Sequence, residues 1–391
     1  MMALRFRTVL VAVAVLVFAT LLAVPSTGWV LRTQLRMLVS TFPEKALLLL
    51  TGIEPEKIWL SPSEADFIKA ETKKRLLQAS QQHPDKEKMQ IAFCVLTEPI
   101  SELPVHLRDL LKRFPNSPSL HAAILRYDCY ERIRLRREGI EVLSKVSTQQ
   151  KPSFTPSEPP SPNPQHIADF ERIAAKGEQL DPDNAFFPMM RAIGLFAAYR
   201  DDDALKALIR ASKKKRWDDY RLEEREGAMQ LWESAFGKPN GLTKICITEM
   251  TLAPYLALIR TMVRVAVYKA VELERKGKLA EGLEIRSALI RCAQLMREQQ
   301  KAKLPRLVAP AIAHIALVHP KGEPLPEPKE RQERGELIQV RFINYLQQIG
   351  QAEKAKWVKA ELQANEQVRN ELHQQVLRSP FLGTLAFVWL M

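Results

Sequence analysis

"LDPDNAFFPMMRAIG" (residues 180–194) sets a short acidic turn containing Pro182 directly before an apolar, helix-like stretch. A proline at such a point closes the preceding helix, because it has no N–H to donate and clashes with the turn before it. Asp183 is placed to cap the next helix, and Phe187 to open its buried stripe. The arrangement recurs at "HPDKEKMQIA" (83–92) and "FPNSPSLHAA" (114–123). In each, Pro84, Pro115 or Pro182 stands before Asp85, Asn116 or Asp183, and five positions after the proline comes Met89, Leu120 or Phe187. The prolines lie 31 and then 67 residues apart, near one and two lengths of a 34-residue helical hairpin.

Working outward, the composition favours helices throughout. Fourteen glycines against 26 prolines leave little material for tight β-hairpins, while Ala, Leu, Glu, Lys, Arg and Gln abound. Residues 254–303 predict a longer hairpin. Leu256, Ile259, Val263, Ala266, Ala270 and Leu273 share one helical face, "RKGKLAEG" (275–282) turns the chain, and Leu283, Ala288, Leu289, Cys292 and Leu295 form the stripe of the second arm. The block from Glu336 has the same character, with Gly350 at its turn. Two proline clusters, "KPSFTPSEPPSPNPQ" (151–165) and "HPKGEPLPEPKE" (319–330), read as extended linkers or loops. Pro156, Pro159 and Pro162 have the spacing of a polyproline ligand, a pattern that any proline-dense spacer produces.

On the three junctions, "GEQLDPDNAFFPMMRA" above all, the stretch from about 75 to 212 resembles tetratricopeptide repeats. The resemblance implies helical hairpins stacked into a superhelix with a concave, ligand-binding face. Pro188 and the run Asp201, Asp202, Asp203 depart from the family's pattern.

The amino terminus places Arg5 and Arg7 before an unbroken apolar run from Val9 to Val24, with Trp29 following at interface depth. From Thr8 to Val30 the segment reaches the ~20 residues needed to cross ~30 Å of hydrocarbon. It is expected to be a retained signal anchor; a cleaved signal peptide, with "VPS" (24–26) as its site, and a buried helix are the other readings. Arg5 and Arg7 balance Arg32 and Arg36, so charge counting does not orient it. The short basic tail favours a cytoplasmic N-terminus and an extracytoplasmic body. At the other end, "SPFLGTLAFVWLM" (379–391) is too short to span alone. It would plug the end of the helical body, dip into the membrane as a second contact, or begin a longer spanning helix.

The net charge of +13 would suit nucleic acid or anionic lipid if it were gathered on one face. Its densest runs, "ERIRLRREG" (131–139) and "KKKRWDDYRLEERE" (213–226), are interleaved with acids and predict solvated helix faces; no nucleic-acid partner is expected. Cys94, Cys129, Cys246 and Cys292 stand far apart in apolar stretches, as buried free thiols do, although an even count also permits disulfides. His314 and His319 are five apart, which breaks the spacing of a helical zinc pair. The acids at 181–183 and 201–203 lack the glycine and terminal glutamate of a calcium loop and read as turns and caps. Trp217, Trp232, Trp357, Phe186 and Phe187 read as packing residues. No catalytic, cofactor-binding or metal residues are assigned.

The expected fold is therefore all-α: an irregular α-solenoid of helical hairpins with an N-terminal transmembrane helix. Its parts are a membrane anchor or signal segment (1–30), a helical block (31–150), the Pro-rich linker (151–165), a hairpin block (166–318), the Pro-rich loop (319–330), a C-terminal helical block (331–378) and the apolar tail (379–391). The expected function is a single-pass membrane scaffold binding an unidentified protein or peptide near the bilayer, without catalytic activity. The alternative is a membrane-bound enzyme whose site assembles only in three dimensions.

Overall fold

Each proline junction falls between two helices. In a computed structural model of the chain, α1 (Pro62–Gln82) and α2 (Glu87–Thr97) flank Pro84, α3 (Leu103–Leu111) and α4 (Pro118–Glu131) flank Pro115, and α5 (Pro164–Leu180) and α6 (Phe186–Ala197) flank Pro182. Then follow α7 (Asp201–Ser212), α8 (Arg221–Phe236), α9 (Pro254–Arg275), α10 (Leu279–Glu298), α11 (Lys303–Ile315), α12 (Arg331–Gln348) and α13 (Ala352–Arg378). The described residues are 62–135, 163–239, 243–244, 247, 254–298, 303–317 and 331–378. Expectations for the N-terminal segment, Cys246, His319, the 319–330 loop, the apolar tail and most of the 151–165 linker lie outside them. Among the described residues the fold is all-α, and no helix is long and apolar enough to cross a membrane.

The apolar residues that begin each stripe, Met89, Leu120 and Phe187, are buried. The caps differ from expectation. Lys86 and Ala185 precede α2 and α6 without a side-chain cap, and α4 is capped by Ser117, whose hydroxyl accepts from the Leu120 N–H at 2.9 Å. Ser117, Pro118 and the N–H two residues beyond Pro118 form a favourable entry, which displaces Asn116 from the role. The predicted linker also ends early: Asn163 caps α5 through the Gln165 N–H, 3.0 Å, with Pro164 at the first helical position, where a missing N–H costs nothing. Asp201–Asp203 form the first turn of α7, a favourable place for negative charge.

The chain divides into two units. The first comprises Met1–Glu98 with Glu223–Leu252. Its core joins Leu76 and Ala79 of α1, Met89 and Ala92 of α2, Ala228 and Leu231 of α8, and Ile247. Gln90, buried beside the Pro84 turn, donates from Nε2 to the Ser80 and His83 carbonyls at 2.9 and 3.0 Å, which fixes the α1–α2 angle.

The second unit comprises Pro99–Leu222 with Ala253–Met391. Two helices hold it together: α6 packs among α4, α5, α7 and α9, and α10 among α7, α9, α11 and α13. Every residue of α6 except Arg191 is buried; its large side chains each contribute roughly 1.5–3 kcal/mol before conformational entropy is counted. The predicted α9 stripe is buried except Leu273, which is half-buried, and the α10 stripe is buried throughout. Both hairpins turn at left-handed glycines, Gly277 (φ 81°) and Gly350 (φ 75°), the conformation that favours glycine after a helix. Buried ion pairs tie the hairpins together. Arg286 is clasped by Glu274 at 2.6 and 3.0 Å, donates to the Ala316 carbonyl at 2.6 Å and lies 5.0 Å from the Phe342 ring centre. Arg297 donates to Glu361 at 2.7 Å and Asn365 at 3.1 Å, docking α13.

Candidate functional site

A dense network of polar side chains in the second unit is built on the opening junction. After α7 the run Lys213–Tyr220 leaves the helix and lies beside Asp181–Asn184. Asn184 and Arg216 form an isolated parallel bridge, with the Ala185 N–H donating to the Arg216 carbonyl at 2.8 Å. The side chain of Asn184, wholly buried, does the work of a missing strand. Its Nδ2 donates to Asp181 Oδ2 (2.9 Å) and the Asp218 carbonyl (2.8 Å), and its Oδ1 accepts from the N–H groups of Phe186 (3.0 Å) and Asp218 (2.9 Å).

This corrects the expectation of a solvated helix face over the first part of "KKKRWDDYRLEERE". Trp217, Asp219 and Tyr220 are buried, and only from Arg221 is the run helical. Asp218 and Asp219 accept from the N–H groups of Tyr220 (2.9 Å) and Arg221 (3.2 Å), side-chain turns that compete with helix. Tyr220 adopts a left-handed φ of 58°. The signal was present in the Trp-Asp-Asp-Tyr order: two turn-forming acids between two large aromatics suit a buried turn better than a wet helix.

Charge in the site is internally matched. Arg216 reaches Asp181 at 2.7 Å and Asp218 at 3.2 Å, Lys215 reaches Asp183 at 3.0 Å, and Glu178 takes Arg210 and Lys214, each at 2.9 Å. The Tyr220 hydroxyl donates to Asp181 at 2.5 Å, and that of Tyr255 donates to Asp219. Burial, then the facing Asp181, pushes the Tyr220 phenol up; burial and Asp219 do the same to Tyr255. Burial and the neighbouring Asp219 raise Asp218, against the Tyr220 N–H and Arg216. The tyrosines thus stay protonated and donate, the acids accept, and each pair closes on itself. Chemically this is a clasp across the two segments.

The other residues singled out in the sequence lie apart from it or serve its packing. Phe186 meets Phe187, Trp217 and Tyr255 edge-on at 5.5, 5.5 and 5.9 Å. Trp232 packs on Phe236 in the first unit, and Trp357 is half-buried on α13. His314 contacts the Pro310 carbonyl through Nδ1 and Gln339 through Nε2. Asp201 pairs with Lys269, and Asp203 with Arg200. Cys94, Cys129 and Cys292 are buried and in no disulfide, and burial pushes the Cys292 thiol up to about 12, far from a reactive thiolate. Between α10, α12 and α13 a small gap is lined by Leu283, Ile290, Phe342, Leu346 and Val358, with Arg286, Ser287 and Lys354. No family model matches the chain, and neither a curated protein nor a solved structure matches it.

Proposed function

We propose that this protein is a membrane-anchored helical scaffold, its hairpins arranged as an irregular, tetratricopeptide-like α-solenoid that binds a protein or peptide partner near the bilayer. The observation that carries this reading is the way consecutive helices pack in chain order, α5 on α6, α6 on α7, α9 on α10 and α10 on α11, while α6 meets α9 and α7 meets α10 across the pairs. Stacked hairpins of this kind present a concave face to a partner. The apolar run from Val9 to Val24 supplies the anchor, and the acids, arginines and tyrosines of the clasp support the reading by engaging one another inside the body. The short basic tail before that run favours a body on the extracytoplasmic side.

Two measurements test it. The full chain, tagged and recovered from detergent-solubilised membranes, is expected to retain a specific partner; recovery of nothing above an untagged background counts against the scaffold. Protease added to right-side-out vesicles is expected to digest the body without detergent. A body cut only after detergent is added moves it, and its partners, to the cytoplasmic side.

A further inference from the structure

We draw no further inference here: the strongest candidate, the side-chain cluster of Glu98, Glu102 and His106 at the turn between α2 and α3, carries nothing, because Glu102 is exposed, Glu98 is already paired with Lys73 at 3.0 Å, and no second feature among the described residues points to a ligand there.

Discussion

Asn184 occupies a position that no other side chain fills equally well. A planar amide with two donors and two acceptor sites satisfies, at once, a carboxylate, a carbonyl and two N–H groups. Replacing it with alanine leaves the Phe186 and Asp218 N–H groups and the Asp181 oxygen without that partner in a dry site, a loss of roughly 2–4 kcal/mol. Tyr220→Phe keeps the ring and removes only the donor to Asp181, for roughly 1.5–3 kcal/mol. Denaturant unfolding of the full chain checks both. If Asn184→Ala unfolds at the same midpoint as the parent chain, the clasp is not a stability element.

At the scale of elements, α9 and α10 approach each other closely. A Cβ on Gly282 would stand 2.5 Å from Glu274 Cγ and 2.8 Å from the Ala270 carbonyl oxygen. Helix propensity favours Gly282→Ala by about 1 kcal/mol, whereas overpacking against backbone costs roughly 1–3 kcal/mol and would displace the carboxylate that holds Arg286. The net effect is expected to be destabilising; a rise in melting temperature would show that the hairpin can relax at that point. This hairpin was legible in the sequence because its information is local: three-and-four spacing from Leu256 to Ala270, a glycine turn and a second stripe. The proline junctions were legible for the same reason. The clasp was not, since Asn184 and Asp218 are 34 residues apart and neither segment alone shows the other's shape. Asn116 and Asp183 were plausible caps by position; Ser117 takes the first role, and α6 follows Ala185 with no capping side chain, the Phe186 N–H going to Asn184 Oδ1.

Across the whole molecule, acids with opposite shifts set the response to pH. Burial raises Asp169 and Glu178, but bonds from Arg172 and Arg108 to the first, and from Arg210 and Lys214 to the second, outweigh it and leave both below their ordinary values of 3.8 and 4.5. Their stabilisation is complete above those values and is lost as pH falls through them towards the lower folded pKa. Asp218, raised above 3.8, has the opposite sign: acidification through its folded pKa relieves it. Melting temperature should therefore hold or rise slightly from neutrality to about pH 5 and fall steeply below about pH 4. A steady decline beginning at pH 7 would contradict this assignment of signs.

The burial of α6 has a consequence for chemical ageing. Met189 and Met190 are completely enclosed within it, and a thioether shielded from solvent reacts with peroxide only when its surroundings open. Their sulfoxides would then act as a clock for opening of the clasp beside them. In dilute peroxide the two methionines should oxidise far more slowly than free methionine, and the rate should climb in Asn184→Ala by roughly the factor that the variant loses in its opening equilibrium. Once formed, a sulfoxide at either position puts a polar oxygen into a helix buried at every residue but Arg191, so an opened molecule would be marked and kept from closing as before.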